Sequence, residues 1–297
     1  MSSVTKHFTF EAFYTLENRM IASPLIPAEA AVTRLGRAVF IDARAGADAR
    51  ASYLEGHVPG AAHADLETQL SRVGDPQKGG RHPLPPWSAW LAQVGRWGIR
   101  PSTPVLVYDA NHGAMAAARL WWMLRAIGHE PLSVVDGGWD ALRRAGIVVE
   151  NQEALSEPAP PYPSARRRWP SIEIAEVDRL RGDPRWRLVD ARAPERYDGE
   201  VEPIDPIAGH VPGAVNAYWK ASVDARGTFI DRAELRRRFD NLLGDVSADR
   251  VVCYCGSGVT ACHLLLALEA SGLHGAGLYV GSWSEWCRTR AGAIASS

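Results

Sequence analysis

The sequence predicts an α/β protein built from two tandem copies of one domain. The hexapeptide Gly-His-Val-Pro-Gly-Ala at residues 56–61 recurs at residues 209–214, and Asp-Ala-Arg-Ala at residues 42–45 recurs at residues 190–193. Short apolar segments such as residues 105–108 alternate with amphipathic helical patterns, which is typical of helices packed around a mostly parallel sheet. A length of 297 residues is sufficient for two such domains.

The repeat places the two domains at residues 24–150 and 171–290, each predicted as a mostly parallel sheet flanked by helices. Residues 151–170 form the predicted linker, which contains a proline-rich stretch and three consecutive arginines at residues 166–168. Proline-rich segments are extended and semi-rigid. We therefore expect a stiff connector whose arginines form a solvated face rather than a nucleic-acid site.

Composition and charge exclude several classes of partner. The formal net charge is −1, which gives no global electrostatic reason to bind nucleic acid or an anionic membrane. No apolar run approaches the ~20 residues that span a bilayer. Residues 1–19 contain Glu11 and Glu17 among aromatic residues and fit neither a secretory nor a transit peptide. We predict a cytoplasmic protein that binds neither nucleic acid nor membrane, and the role of residues 1–19 stays open.

All four cysteines lie in the second copy, and one of them has the position of a nucleophile. Cys255 follows a predicted buried strand at residues 251–254 and precedes a predicted helix that Gly272 closes. Free backbone N–H groups and the positive end of the helix dipole favour a thiolate there. The alternative is a buried structural cysteine followed by an ordinary turn. Cys253 and Cys255 lack the paired C-x-x-C spacing of a zinc site, so no metal is expected, and Cys262 and Cys287 are predicted to fill the core.

Taken together, these motifs resemble the rhodanese family. They are the two Asp-Ala-Arg strand ends, the two hexapeptides, the loop at residues 255–260 and the Gly-Ser-Trp at residues 281–283. The resemblance implies two tandem rhodanese-like domains and a sulfur carried on Cys255 as a persulfide, with no cofactor. It also implies that the loop binds this sulfur through the residues that follow the cysteine, which are Gly256, Gly258, Val259 and Thr260.

The loop is similar to that of the family members that use 3-mercaptopyruvate, and in these members a serine acts with a histidine and an aspartate. The resemblance carries these roles to Ser257, His82 and Asp65. His82 is preferred to His63 because a Leu-Pro pair follows it shortly afterwards. The alternative is that Ser257 is only a turn residue.

The resemblance also assigns Arg196 to the binding of an anionic donor. The mercaptopyruvate members usually supply a second arginine in the segment that follows, but residues 200–208 here contain three acidic residues and no arginine. In the first copy Asp109 stands opposite Cys255, and because aspartate cannot hold a transferable sulfur, that copy is predicted to be catalytically silent.

Residues that occupy the same position in both copies are better explained by folding than by catalysis. They are His57 with His210 and Arg44 with Arg192.

The resemblance therefore implies that the protein is a sulfurtransferase. It is expected to move sulfur from a small-molecule donor, 3-mercaptopyruvate, to cyanide or to a thiol acceptor such as thioredoxin or glutathione. Alternatives are a thiosulfate donor, or a sulfur-carrier module fed by a protein partner. A phosphatase is disfavoured because Ala261 stands where the phosphate-binding arginine of a C-x5-R loop would be.

Overall fold

The computed structural model describes residues 23–113 and 115–296 and contains two separate parallel sheets. Residues 1–19, whose role the sequence leaves open, lie outside the described residues. The elements of the first domain are β1 (Leu25–Ile26), α1 (Ala28–Val32), β2 (Val39–Asp42), α2 (Ala49–Glu55), β3 (Ala62–His63), α3 (Trp87–Arg96), β4 (Val105–Tyr108), α4 (Ala116–Ala126), β5 (Leu132–Val135) and α5 (Gly138–Arg144).

The second domain repeats this pattern with a shorter sheet. Its elements are α6 (Ile174–Leu180), β6 (Arg187–Asp190), α7 (Pro194–Tyr197), β7 (Val215–Asn216), a 3-10 helix (Trp219–Ser222), α8 (Arg232–Leu243), a 3-10 helix (Ala248–Arg250), β8 (Val251–Tyr254), α9 (Ala261–Ser271), β9 (Gly277–Leu278) and α10 (Ser282–Thr289).

The two sheets share one strand order, because β9-β8-β6-β7 of the second sheet corresponds to β5-β4-β2-β3 of the first, to which β1 is added at one edge. This order determines where the loops meet. The first sheet runs β1-β5-β4-β2-β3 and the second runs β7-β6-β8-β9, with every pair parallel. Asp42 pairs in register with Tyr108, and Asp190 pairs with Tyr254 in the same way. Ligands of open parallel sheets bind beyond the carboxyl ends of the strands, and residues 109 and 255 follow directly there. The predicted tandem α/β architecture is confirmed.

The linker packs along the first domain. The Ala159 amide donates to the Gly95 carbonyl (2.8 Å) and the Tyr162 amide donates to the Leu91 carbonyl (3.0 Å), so the linker follows helix α3. Trp169 is packed among other aromatic rings and contacts Trp87, Trp90 and Trp122.

The arginines at residues 166–168 are exposed, as expected for a solvated face. Helices α4 and α9 pack against each other, and one cluster of buried side chains spans both domains, while each domain also has a smaller cluster of its own. None of the helices in the described ranges is long and apolar enough to cross a membrane.

Candidate active site

Cys255 lies directly after strand β8, where the second domain's central strand gives way to helix α9. Its side chain is almost completely buried. The Cys255 amide donates to the Ser282 hydroxyl (3.1 Å), and its carbonyl accepts from the Trp283 amide (2.9 Å). The start of helix α10 therefore holds the cysteine's backbone, and the Gly-Ser-Trp motif at residues 281–283 has a structural role in the loop.

Of the predicted loop residues, Gly258 contacts the sulfur directly. The Gly258 amide donates to Cys255 Sγ (3.2 Å). Gly258 has φ +78°, and a Cβ atom there would lie 2.4 Å from the Val280 carbonyl oxygen, so only glycine fits. Val259 is buried. Thr260 starts helix α9 without a side-chain capping bond, which leaves its hydroxyl available to a bound sulfur.

The other three cysteines are poor nucleophiles in this structure. Burial raises the pKa of the Cys262 thiol to about 12 and raises the pKa of Cys253 well above its ordinary range. Burial also raises the pKa of Cys287. All four thiols are free. Among the described residues, no group of three or more His, Cys, Asp or Glu side chains is arranged to hold a metal ion.

Ser257 and His82 meet across the domain boundary. Ser257 Oγ lies 2.8 Å from His82 Nδ1, and His82 Nε2 lies 3.0 Å from Glu67 Oε1. The third member expected from the resemblance was Asp65, and the structure differs here. Asp65 instead binds Thr68, whose amide (2.8 Å) and hydroxyl (2.7 Å) both donate to its carboxylate. The turn that Asp65 and Thr68 form is what presents Glu67 to the histidine.

The hydrogen bonds of His82 determine how it can act. The Glu67 carboxylate only accepts, so Nε2 carries the proton and Nδ1 is left to accept from the Ser257 hydroxyl. Burial lowers the pKa of His82, while the nearby Glu67 carboxylate raises it. The neutral imidazole is therefore favoured, which is the form that can take up a proton. The decoy His63 instead contacts the Arg44 carbonyl (3.2 Å).

The segment that carries His82 is fastened to the second domain. The Gly79 amide donates to Glu285 Oε1 (2.9 Å), and the Arg81 amide donates to Ser284 Oγ (3.0 Å). Gly80 has φ +79°, and a Cβ there would lie 2.3 Å from the Gly281 carbonyl oxygen. This close contact between the two backbones therefore positions His82 of the first domain beside the cysteine loop of the second.

Arg119 of helix α4 links the cysteine loop to the segment that carries His82. It is completely buried, and it donates to the Gly258 carbonyl (3.0 Å) and to the His82 carbonyl (3.0 Å). Sequence reasoning missed this residue, because nothing in the chain distinguishes it from the many other arginines.

Arg196, which the resemblance assigns to donor binding, lies beside Gly256 of the cysteine loop. It binds Glu202 through Nε (3.2 Å) and Nη2 (2.6 Å). Arg81 reaches the same place from the first domain and pairs with Asp205. The acidic segment 200–208 contains no arginine of its own, but its carboxylates bind Arg81 and Arg196 from elsewhere in the chain. Arg81 was also missed from the sequence, where its only signal is its position next to His82.

The paired residues predicted to be structural make equivalent contacts in both domains. His57 stacks on Tyr53 and His210 stacks on Tyr197, with ring centroids 3.8 Å apart in each pair. Arg44 and Arg192 form buried bidentate pairs with the aspartates of their own strand ends and donate to glycine carbonyls (2.7 Å each). These contacts close the same turns in each copy, which supports the structural interpretation.

The first domain keeps the loop but fills it with its own carboxylate. Asp109 is buried and accepts four backbone N–H bonds, which come from Asn111 (2.8 Å), Gly113 (2.8 Å), Met115 (3.2 Å) and Ala117 (3.1 Å). Burial raises the pKa of Asp109, and these amides lower it. The loop amides that would serve a sulfur are already occupied.

Comparison with known proteins identifies the family. A model of the rhodanese-like domain matches residues 28–145 and 173–289. The chain is 42% identical over 237 residues to a probable 3-mercaptopyruvate sulfurtransferase of Pseudomonas aeruginosa, covering 79% of this chain and 82% of that protein. It is 39% identical over 242 residues to a putative thiosulfate sulfurtransferase of Mycobacterium tuberculosis, covering 80% and 83%.

Among solved structures, the chain resembles 3-mercaptopyruvate sulfurtransferase from Leishmania major. The TM-score is 0.82 at 29% identity, covering 92% of this chain and 76% of that one. The family model that matches both halves of the chain, the sequence relatives and the similar solved structure all indicate the same family. The chain therefore belongs to the rhodanese family of sulfurtransferases.

Proposed function

We propose that this protein transfers sulfur from 3-mercaptopyruvate to a thiol or to cyanide through a persulfide on Cys255. The observation that carries the proposal is the chain of contacts from Ser257 in the cysteine loop to His82 and Glu67. A thiosulfate donor has no proton to move, whereas mercaptopyruvate does. A serine and a neutral histidine at the loop therefore favour the protonated donor.

In the first half-reaction the Cys255 thiolate attacks the sulfur of mercaptopyruvate. The donor's carbon–sulfur bond breaks and its electron pair stays on carbon, which gives the enolate of pyruvate. The donor sulfur loses a proton and the enolate carbon gains one, so a single proton crosses the site. Ser257 and His82 are placed to relay it, and such groups typically contribute ~10²–10⁴-fold in rate. The Gly258 amide and the Thr260 hydroxyl would stabilise the anionic terminal sulfur.

In the second half-reaction an acceptor thiolate or cyanide attacks the terminal sulfur. The sulfur–sulfur bond breaks, and its electron pair returns to Cys255 as the thiolate. A small cytoplasmic thiol such as glutathione, or the exposed thiol of thioredoxin, would serve as acceptor. The first domain would carry no sulfur, because Asp109 stands at its loop, and it would contribute His82 to the proton relay.

Mass spectrometry after donor treatment tests the carrier. We expect one added sulfur on the peptide that contains Cys255 and none in Cys255→Ser. A label that maps to Cys253, or that persists in the serine variant, would refute the assignment. Sulfur that is accepted from a protein persulfide but from no small donor would instead indicate a sulfur-carrier module.

Thiosulfate is the second candidate donor, and one observation favours it. The loop's own Gly256 and Ser257 are neutral, but the guanidinium groups of Arg81 and Arg196 lie beside Gly256 and would attract a dianion. We expect kcat/KM for mercaptopyruvate to exceed that for thiosulfate, and Ser257→Ala to lower turnover of mercaptopyruvate far more than turnover of thiosulfate. Equal losses with both donors would favour the thiosulfate reaction.

A further inference from the structure

The linker presents three consecutive arginines to a large cleft between the domains. This linker cleft measures about 900 Å³, and the arginines at residues 166–168 all line it. Its other walls come from the first domain, through Gly79 and Leu84, and from the second domain, through Val280 and Gly281. Binding sites for small molecules typically occupy roughly 300–1,000 Å³. The linker cleft therefore has the size of a ligand site.

The linker cleft is separate from the catalytic pocket. Neither Cys255 nor His82 is among the residues that line it. Gly79 and Leu84 face the cleft, whereas His82, which lies between them in the sequence, turns toward Ser257 (2.8 Å). Segment 79–84 thus has one side on the cleft and the other on the cysteine loop. A ligand in the cleft would leave the catalytic pocket open to a donor.

The chain contains two runs of three consecutive arginines, and the two runs differ in their ion pairs. In helix α8 the arginines at residues 236–238 all pair with carboxylates of the same helix, which are those of Glu234 and Asp240. The arginines at residues 166–168 are exposed, and within the described part of the chain their guanidinium groups form no ion pair and no hydrogen bond. The run in the linker therefore keeps all its donors for a ligand.

The backbone that carries these arginines is held in place by tryptophans. The indole of Trp87 donates to the Arg166 carbonyl (3.1 Å), and the indole of Trp169 donates to the Pro85 carbonyl (2.9 Å). The arginines lie between these two anchors. Their Cα atoms are therefore fixed at the edge of the cleft, and only the side chains have to be ordered when a ligand binds.

The carboxylates of the linker cleft do not neutralise the arginines. Two acidic residues line it, Glu173 and Glu285, against three guanidinium groups. Glu285 is buried, and its two oxygens already accept from the Gly79 amide (2.9 Å) and the Tyr279 hydroxyl (2.8 Å). A cleft with an excess of one sign of charge concentrates ions of the opposite sign. The cleft is thus suited to an anion with more than one charge.

We propose that the linker cleft binds a small anion that carries several phosphate groups. Guanidinium groups bind phosphate oxygens in a bidentate fashion, and three of them in a row match a chain of phosphates. The enclosed shape favours a compact molecule over a protein surface. This site is independent of which sulfur donor the enzyme uses. A bound phosphate chain would connect the linker to both domains behind the segment that carries His82.

Isothermal titration calorimetry with inorganic triphosphate, at fixed ionic strength, tests the site. The test variant carries Arg166→Gln, Arg167→Gln and Arg168→Gln together, and the three single variants are measured beside it. The matched control carries Arg236→Gln, Arg237→Gln and Arg238→Gln, which removes the same charge from the other run. Thermal unfolding of every protein with and without triphosphate gives a second readout, because a ligand of the folded state raises Tm.

We expect the Kd for triphosphate to rise about tenfold in the linker triple variant and about twofold in each single variant, since exposed charge pairs are individually weak. The rise in Tm with triphosphate should disappear in the same triple variant, and the control triple variant should bind as the wild type does. Equal losses in the two triple variants would show unspecific attraction and overturn the proposal. Arg196→Gln, beside the cysteine loop, should also bind normally, and a loss confined to it would place the anion in the catalytic pocket instead.

Two further ligands identify the chemistry that the linker cleft recognises. Orthophosphate should bind more weakly than triphosphate, because it reaches fewer guanidinium groups, and ATP should lose affinity in the linker triple variant as triphosphate does. Tighter binding of ATP than of triphosphate would indicate a nucleotide as the ligand, and equal binding would indicate the phosphate chain alone. A hexaglutamate peptide that binds more tightly than triphosphate would overturn the proposal in favour of an acidic protein segment.

Discussion

Arg119 is predicted to couple the silent domain to the catalytic loop, and Arg119→Met is the perturbation that tests this. The side chain is completely buried, and its two terminal nitrogens each donate to a backbone carbonyl, one of Gly258 and one of His82. Methionine fills a similar volume and supplies no donor. Both carbonyls would be left without this partner, and they belong to the sulfur-binding loop and to the relay histidine.

The size of the effect follows from these two bonds. Hydrogen bonds from a charged group contribute roughly 1.5–3 kcal/mol each. Removing the buried charge also removes its desolvation cost, which offsets part of the loss. We expect the free energy of unfolding to fall by about 2–3 kcal/mol. If about 1.4 kcal/mol of this held the loop in its active geometry, the rate of persulfide formation would fall about tenfold.

Thermal unfolding followed by circular dichroism and single-turnover labelling of Cys255 are the two assays. The matched control is Arg125→Met, on the same helix but at an exposed position. Arg119→Lys keeps the charge but cannot fork to both carbonyls, so it should give an intermediate rate. A variant Arg119→Met that loads sulfur as fast as the wild type, or that unfolds at a higher temperature, would show that the coupling argument is wrong.

Three further predictions concern the loop and its relay. Glu67→Gln should slow mercaptopyruvate turnover by about tenfold, because it replaces the charged acceptor that orients His82 and stabilises its protonated form with a neutral amide, whereas Asp65→Asn should act through stability alone; the reverse order in kcat would restore Asp65 to the relay. Gly258→Ala should abolish persulfide formation, measured by mass spectrometry, because its Cβ would lie 2.4 Å from the Val280 carbonyl oxygen; a variant that keeps half of the wild-type rate would contradict this. Burial lowers the pKa of His82 from its ordinary 6.5, so kcat/KM for mercaptopyruvate should fall with acidity only below pH 6.5. Removing Glu67, which raises that pKa, should move the fall to still lower pH, and a fall centred above 6.5 would refute the relay.

The sequence was sufficient for the repeat and therefore for most of the fold. Two identical hexapeptides and two Asp-Ala-Arg strand ends predict paired domains because each motif closes a turn of its own copy. The hydrogen bonds of Arg44 and Arg192 to their own aspartates and glycines show why both motifs are needed together. Such contacts are local to one domain, so a linear pattern is enough to reveal them.

Sequence reasoning missed two kinds of contact at the site, one determined by a local turn and the other formed between domains. Asp65 and Glu67 are both acidic and two residues apart, and only the turn closed on Thr68 decides which of them faces His82. Arg81 acquires its place from the contact of Gly80 with the Gly281 carbonyl in the other domain. No spacing in the chain encodes contacts between residues more than a hundred positions apart.

The carboxylate of Asp109 has a consequence for the other domain's reaction cycle. Its oxygens follow the path Cα–Cβ–Cγ–Oδ, and the terminal sulfur of a persulfide on Cys255 would follow the path Cα–Cβ–Sγ–Sδ. In the first domain Asp109 therefore permanently mimics the negatively charged persulfide that the second domain would form on Cys255 only during its reaction cycle. Four backbone amides donate to the Asp109 carboxylate, whereas one amide donates to the sulfur of the unmodified Cys255. When Cys255 carries the additional sulfur, the loop of the second domain should therefore close around it as the first-domain loop closes around Asp109. Asp109, some 150 residues upstream, thus shows in the resting enzyme the arrangement expected for the persulfide intermediate.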